Sequence, residues 1–411
     1  MNLLQCKYFR YFFVIFSGGV IAQIIYFASL PIISRLYSVE EFSNLSVFTS
    51  LLILLSTIAC LRYDVAISLA EKKSDVLRLF LLSIILSTCF SILILCVVLV
   101  LWFFEVIDVY LIFLPLAIWL CSISNLVINF YLKYKQYKKV SSLKVLQVSS
   151  MSFSQITLGV FLPTIGSIGL ILGQVLNYTI GSLFQLKNII VIRRMNKISF
   201  YSLKLVAIKY SHYLKYSTFD SIFNLLGLHL PIILLTFMYD NYIMGIFYMG
   251  MRLIQTPVGI LITSVSQIYY SNIQDNLNGN IFNFSMKVVL CLAAFGFLGF
   301  LIFYFIRESL IILILGNEWA KLADLSIWLI PWFFLQLVSS PISTVMYALK
   351  KHKQMMVLTW FGLVIRVFPI IFLIKVHSGF VLELFSLANA VYYLVCLVCF
   401  LYFAKINSGK V

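Results

Sequence analysis

The chain has 411 residues, of which 62% are hydrophobic and 11% are charged. A soluble domain of ordinary composition carries about 25% charged residues, so this composition excludes a water-soluble protein and indicates a membrane protein. The formal net charge of +16 is explained mainly by membrane orientation, as described below, and it does not indicate nucleic-acid binding.

Twelve long apolar segments follow one another along the chain. A helix needs about 20 apolar residues to cross the hydrocarbon core of a bilayer, and each segment is at least that long. The chain is therefore predicted to be an all-α integral membrane protein. The predicted spans are 11–34, 42–62, 76–104, 109–132, 141–162, 166–191, 213–236, 242–270, 281–306, 322–348, 354–374 and 379–404.

The basic residues of the loops indicate how these spans are oriented. Cytoplasmic loops of membrane proteins carry an excess of Lys and Arg, and most of the 30 basic residues fall in every second loop. The densest group lies between Lys187 and Lys215, around the connection between the sixth and seventh spans, and is typical of a segment that faces lipid headgroups. A topology of twelve spans with both termini in the cytoplasm places most of these basic residues in cytoplasmic loops.

The two halves of the chain resemble each other. The tetrapeptide LPII at 30–33 recurs at 230–233, and two aromatic positions of the following span match at the same offset of 200 residues. Because six helices precede the repeat, both halves enter the membrane in the same sense, as in transporters that rock two bundles around a midplane site. We predict a six-helix bundle at 1–192, a basic cytoplasmic linker at 193–211 and a second six-helix bundle at 212–411.

Arg252 is the leading candidate for a functional residue, because it lies near the centre of the eighth span. An arginine at the bilayer centre costs about 2.5–3.5 kcal/mol even on the lenient insertion scale, so such residues normally face a partner or a watery cavity. Gln255 and Thr256 follow on the same helix, and Pro257 removes a backbone donor there. We expect these polar residues to line an anion-binding cavity; a purely structural ion pair is the alternative.

Other polar residues inside the spans extend the candidate site. Arg366 in the eleventh span and Asn224 in the seventh are assigned to the same substrate-binding set. Asp220 is the acid assigned to a span interior, where it either pairs with an arginine or binds a coupling ion. The fifth span carries a stripe of hydroxyl and amide side chains at helical spacing, consisting of Gln147, Ser150, Ser154 and Thr157.

Three charged residues sit at span ends. Arg35, Arg62 and Asp64 either line an entrance or extend towards the headgroups. The sequence contains no metal-ligand cluster and no phosphate-binding loop of the G-x-x-x-x-G-K-[ST] type. We therefore predict no metal site, no cofactor and no ATP hydrolysis.

Several stretches resemble one family of transporters. The segment SRLYSVEEF at 34–42, followed by LRYDVAI at 61–67, resembles the opening of the polysaccharide-biosynthesis flippases. These are the Wzx-type proteins of the multidrug/oligosaccharidyl-lipid/polysaccharide exporter superfamily. The segment MRLIQTP at 251–257 resembles the eighth helix of that family. The resemblance implies a MATE-like fold of two six-helix bundles along the whole chain.

The resemblance also implies a function, which is transport and not enzymatic catalysis. Such a protein moves undecaprenyl-diphosphate-linked oligosaccharide from the cytoplasmic to the periplasmic leaflet of a bacterial inner membrane, for O-antigen or capsule-type polysaccharide synthesis. A diphosphate calls for a cation and a glycan for hydrogen-bonding groups, which suits Arg252 and the polar stripes. Whether it acts alone or beside a polysaccharide polymerase and a chain-length regulator stays open.

Two other functions compete with this interpretation. Ion-coupled drug exporters of the same superfamily share the architecture, but many carry an acid in the first helix, and residues 11–33 contain no charge. A membrane-embedded polysaccharide polymerase or acyltransferase would be indicated by a large outer loop rich in arginine. No loop of that kind is present, and no paired carboxylates stand at a membrane surface.

Overall fold

The computed structural model describes residues 3–70, 72–188, 199–211, 218–275, 281–349, 351–374 and 380–407. Within these ranges the chain is helical and contains no strand, which confirms the all-α prediction. For residues 3–16 and 180–188 only the backbone is described. The chain divides into two compact units, Met1–Leu225 and Leu226–Val411.

The first unit is built from six long helices and the beginning of a seventh. The helix α1 packs on α5, α5 on α6, and α4 on α2, α3 and α6. Two short helices, Tyr63–Leu69 and Phe200–Lys209, lie in the α2–α3 and α6–α7 connections. The long helices are α1 (Leu3–Leu36), α2 (Val39–Ala59), α3 (Lys73–Phe103), α4 (Leu114–Lys133), α5 (Tyr137–Phe161), α6 (Ser167–Asn188) and α7 (Thr218–Leu235), and the boundary between the units falls inside α7.

The second unit contains the end of α7 and five further long helices. The most extensive contact joins α10 and α12, and α10 also packs on α8 and α9. A short helix, Thr344–Ala348, follows α10. The long helices are α8 (Asn241–Asp275), α9 (Ile281–Leu315), α10 (Leu322–Ser339), α11 (His352–Ile374) and α12 (Val381–Asn407).

Nine of the helices in the described ranges are long and apolar enough to cross a membrane. They make the chain a multi-pass membrane protein, as the composition predicts. The other three long helices, α5, α6 and α7, coincide with predicted spans but are not among these nine. The count of twelve spans and the cytoplasmic position of the termini therefore stay predictions.

Two span boundaries differ from the sequence prediction for identifiable reasons. The ninth span was predicted to stop at 306, before Arg307 and Glu308, but α9 continues to Leu315. Arg307 is accommodated because its Nε donates a hydrogen bond to the carbonyl of Ala323 at 3.2 Å. The tenth span is broken by a 3₁₀ turn at Ser340–Ser343, where proline interrupts the regular hydrogen bonds.

Small residues hold α1, α5 and α6 close together. A Cβ atom placed on Gly173 of α6 would lie 2.3 Å from Cγ of Gln155, and one on Gly169 would lie 2.6 Å from the hydroxyl oxygen of Tyr37. The Tyr37 hydroxyl donates to the carbonyl of Gln155 at 2.8 Å. Glycines four residues apart on α6 therefore form a close-packing face, as expected for helices in lipid.

Candidate functional site

The helix α8 has one buried face and one open, polar face. Its apolar face is buried, with Leu253 and Ile254 only 4% and 5% exposed. The open face carries five residues within a narrow sector of the helix. They are Arg252, Gln255, Thr256, Gly259 and Thr263, all half-buried or exposed.

The side chains on this open face make contacts within α8, and there is free space beside the helix at Gly259. The guanidinium carbon of Arg252 lies 4.8 Å from the ring centre of Tyr248, one turn earlier. Thr256 donates its hydroxyl to the carbonyl of Arg252 at 2.7 Å. A Cβ atom placed on Gly259 would meet no heavy atom within 4 Å. One turn after Arg252, Pro257 lies inside the helix, so the carbonyl of residue 253 lacks its regular helical donor.

An exposed polar face on a membrane helix has two possible environments, lipid or water. A central arginine in lipid is costly, and residues of this type face the interior or a water-filled cavity. The polar face also offers hydroxyl and amide groups that lipid chains cannot satisfy. The open face of α8 is compatible with the expected cavity, and its lining by Arg252, Gln255 and Thr256 stays a prediction.

Arg366 has a different environment. It is only 2% exposed, and its guanidinium carbon lies 4.1 Å from the ring centre of Tyr392 and 5.5 Å from that of Tyr393. A Cβ atom on Gly227 of α7 would lie 3.3 Å from its Nη1. Its Nε and Nη2 have no hydrogen-bond partner among the described residues. Arg366 is thus enclosed by aromatic rings and does not line an open surface here.

More buried polar atoms lie on α10 and α12, which pack on each other. Trp332 Nε1, Gln336 Oε1 and Asn389 Oδ1 are buried and have no hydrogen-bond partner within the described part of the chain. The first two residues are four apart on α10, so they share one face. We did not predict this cluster from the sequence. Two polar residues at positions i and i+4 of an apolar span could have indicated it.

Two members of the candidate set lie on α7. Asn224 is exposed. The backbone of Asp220 belongs to the first turn of α7, but its side chain lies outside the described residues. Its pairing with an arginine, or its binding of an ion, stays a prediction.

The three residues predicted at span ends separate into exposed and enclosed positions. Arg35 is exposed, and its Nη1 donates to the carbonyl of Pro31 at 2.6 Å. Arg62 has a left-handed backbone with a φ of 61° immediately before the helix Tyr63–Leu69. Asp64 is only 7% exposed and accepts a hydrogen bond from Nδ2 of Asn129 at 3.4 Å.

The ionisation of Asp64 reflects this burial. Removal from water raises the pKa of its carboxyl above the usual value, while Arg62 and nearby backbone N–H groups act in the opposite direction. Asp64 is therefore part of the packed α2–α3 connection, whereas Arg35 is accessible.

Sequence reasoning also overlooked two acids. Asp75 lies in the first turn of α3, is 4% exposed and forms an ion pair with Nζ of Lys209 at 2.5 Å. Glu383 lies in the first turn of α12, and its Oε2 is buried without a hydrogen-bond partner in the described structure. Both sit at the edges of predicted spans, where a carboxylate is easily taken for a loop residue.

No group of three or more His, Cys, Asp or Glu side chains able to hold a metal ion occurs in the described ranges.

The fold is similar to that of solved transporters. An inward-facing multidrug resistance MATE family transporter of the MOP superfamily superposes with a TM-score of 0.64, at 14% identity over 93% of this chain and 94% of that chain. A MOP superfamily transporter from Pyrococcus furiosus, whose binding pocket is described as reversed in polarity, gives 0.59 at 13% identity over 97% and 96%. A mutant MATE transporter from Vibrio cholerae gives 0.54 at 12% identity over 97% and 95%. The chain therefore has the fold of MOP-superfamily transporters.

The family is identified by sequence. A family model described as "polysaccharide biosynthesis protein" matches residues 66–324, which is more than half of the chain. The chain therefore belongs to this family of polysaccharide biosynthesis proteins, which confirms the family resemblance found in the sequence. No curated protein gives a significant match.

Proposed function

We propose that the protein is a flippase that moves undecaprenyl-diphosphate-linked oligosaccharide repeat units from the cytoplasmic to the periplasmic leaflet of a bacterial inner membrane. Membership in a polysaccharide biosynthesis family, combined with the fold of membrane transporters, carries this proposal. Alternating access moves the polar head of the substrate, and the lipid tail stays in the bilayer. The product supplies O-antigen or capsule-type polysaccharide synthesis.

The open face of α8 supplies the proposed contacts. Arg252 binds the diphosphate, because a guanidinium forms paired, charge-assisted hydrogen bonds with phosphate oxygens. Gln255 is exposed and offers an amide to glycan hydroxyl groups. Thr256 donates its proton to a backbone carbonyl, so its oxygen is available as an acceptor.

Arg366 and Asn224 complete the proposed substrate-binding set. Asn224 is exposed and can contact the glycan directly. Arg366 lies under the ring of Tyr392, so its contact with a phosphate requires that ring to turn aside. Its Nε and Nη2, which have no hydrogen-bond partner in the described part of the chain, would then find acceptors on the phosphate.

Leaflet-specific labelling of the glycan tests the flippase directly. Cells that lack the protein are expected to accumulate lipid-linked oligosaccharide on the cytoplasmic face, and the intact chain should reverse this. Arg252→Ala should fail to reverse it at a normal protein level, whereas Lys353→Ala, which removes an exposed charge of the same unit, should succeed. Normal delivery of unpolymerised units to the periplasm in the deletion strain would contradict the proposal and indicate polymerisation or acyl transfer instead.

Drug export is the second candidate, because similar solved structures include multidrug transporters. The segment Ser17–Leu36 of α1 contains no acidic residue, which argues against cation exchange of the drug-transporter kind. Drug susceptibility separates the two functions. Unchanged susceptibility in the deletion strain, with glycan retained on the cytoplasmic face, supports the flippase; raised susceptibility with normal glycan delivery supports drug export.

Asp220 is the proposed coupling residue. If its carboxylate binds a proton or sodium ion, Asp220→Asn should abolish ion-dependent transport while lipid-linked glycan still binds. The measurement is transport into proteoliposomes under an imposed proton or sodium gradient. Transport with unchanged ion dependence would reject the assignment and leave pairing with an arginine as the role of Asp220.

A further inference from the structure

The short helix Phe200–Lys209 has two apolar faces, and the described residues of the chain bury one of them. Leu203 and Val206 are 5% and 3% exposed and face the first unit. On the opposite side, at about 100° per residue, three large apolar side chains form one stripe. They are Tyr201, Leu205 and Ile208, with exposures of 69%, 50% and 61%.

The outward direction of this stripe is fixed by specific contacts. The hydroxyl of Tyr63 donates to the carbonyl of Ala207 at 3.0 Å. Lys209 donates to the carboxylate of Asp75 at the beginning of α3, and the hydroxyl of Tyr210 lies 3.4 Å from the same carboxylate. The helix is thus held against the first unit with its second apolar stripe facing outwards.

The length of α3 places this helix at the level of the lipid headgroups. The 31 residues of α3 extend about 46 Å at about 1.5 Å per residue, whereas the hydrocarbon core is about 30 Å thick. Exposed large apolar side chains of α3 run from Ile85 to Phe103, so the excess length lies at the beginning of the helix. Phe200–Lys209 packs at that end, beside Asp75.

Basic side chains border the stripe. Lys204 and Lys209 lie on its two sides by helical geometry, and both are exposed. Lys72 and Lys73 are exposed at the nearby start of α3. The acid at this position, Asp75, is buried and paired. An apolar stripe between lysines is the pattern of a helix that lies in the membrane interface, and clustered lysines attract anionic headgroups.

We propose that Phe200–Lys209 is an interfacial helix that binds anionic phospholipid of the leaflet at which α3 begins. Tyr201, Leu205 and Ile208 enter the boundary between headgroups and acyl chains. Lys204, together with Lys72 and Lys73, contacts the phosphates, while Lys209 stays paired with Asp75. The three-residue stripe is too small for a stable protein interface, which needs about 800 Å² on each partner. It is instead next to the lipid-facing surface of α3, so lipid is the occupant.

Photo-crosslinking tests the position of the helix. Benzoylphenylalanine replaces Ile208 in the full-length protein, which is reconstituted in vesicles of phosphatidylcholine and phosphatidylglycerol in equal amounts. After irradiation, mass spectrometry should detect lipid adducts at position 208, with phosphatidylglycerol enriched over its share of the vesicle. The matched position is Ile92, which is 56% exposed on α3 and should form adducts in the bulk lipid ratio.

Charge variants test the headgroup preference. Lys72→Gln combined with Lys204→Gln should lower the enrichment at position 208 several-fold, towards the bulk ratio, because each lysine near the surface adds to anionic lipid attraction. Lys405→Gln, in the other unit, should leave it unchanged. Absence of a lipid adduct at 208, with normal adducts at 92, would overturn the interfacial position; adducts in the bulk ratio would overturn the selectivity for anionic lipid.

Discussion

The helices α2 and α8 follow the two copies of the LPII repeat, yet their surfaces are opposite. At the offset of 200 residues, Leu52 corresponds to Arg252 and Phe48 to Tyr248. Leu52 and Phe48 are fully buried, whereas Arg252 is half-buried and stands over Tyr248. The same position in the repeat therefore serves packing in one copy and an open polar face in the other.

Polar residues show the same difference between the units. The stripe of α5 was predicted to suit a glycan, but Gln147 is 7% exposed and donates to Ser124 at 2.6 Å. Ser154 is 8% exposed and donates to a backbone carbonyl of its own helix. Gln147 and Ser154 are thus buried inside the first unit, whereas Arg252, Gln255 and Thr256 of α8 are half-buried or exposed.

Replacing Arg252 by leucine, the residue at the corresponding position 52 of α2, is expected to have the largest effect on glycan export. Arg252→Leu should reduce glycan export at least about tenfold, since a hydrogen bond to a charged group contributes about 1.5–3 kcal/mol. Leaflet-specific labelling measures export, and immunoblotting measures the protein level. Arg252→Lys should retain part of the activity, because the charge remains but the paired hydrogen bonds are lost. Full export by Arg252→Leu would contradict a functional role for the open face of α8.

The corresponding change in α2 should affect stability. Leu52→Ala opens a cavity in the first unit and should lower the free energy of unfolding by about 2–5 kcal/mol, because Leu52 is 0% exposed. Thermal unfolding in detergent measures the change, with Arg252→Ala as the counterpart expected to unfold close to the wild-type temperature. Equal losses of stability at both positions would show that α8 is packed as tightly as α2.

Glycine substitutions sharpen the contrast between packed and open faces. Gly173→Ala should destabilise the protein by about 1–3 kcal/mol, the usual effect of overpacking, because the new Cβ would lie 2.3 Å from Gln155. Gly259→Ala, on the open face of α8, meets no atom within 4 Å and should leave the unfolding temperature nearly unchanged. A large loss at Gly259 would mean that this face is filled.

The smallest expected effect concerns the pH dependence of stability. The folded-state pKa of Asp64 is raised by burial, so the native state binds more protons than the unfolded state between the two pKa values. Stability should therefore fall as pH rises from the unfolded pKa through the folded one. The unfolding temperature of Asp64→Asn, measured across that range, should vary less with pH than that of the wild type. If the unfolding temperatures of both proteins showed the same dependence on pH, Asp64 would be in contact with water and not buried.

The sequence predicts the long helices well because a run of about 20 apolar residues is a strong local signal. It fails at α9, which continues past Arg307 because a tertiary contact accommodates the charge. It also does not distinguish Arg252 from Arg366, since both are arginines near a proline in an apolar span. Burial of Arg366 under Tyr392 depends on α12, and no pattern within the eleventh span contains that information.

The close approach of Gly227 to Arg366 has an evolutionary consequence. A Cβ atom at position 227 would lie 3.3 Å from Nη1 of Arg366 and 3.4 Å from Cα of Leu363. A side chain at 227 would therefore compete with the guanidinium for the same space. Among related sequences we expect positions 227 and 366 to covary, with larger residues at 227 accompanied by shorter ones at 366.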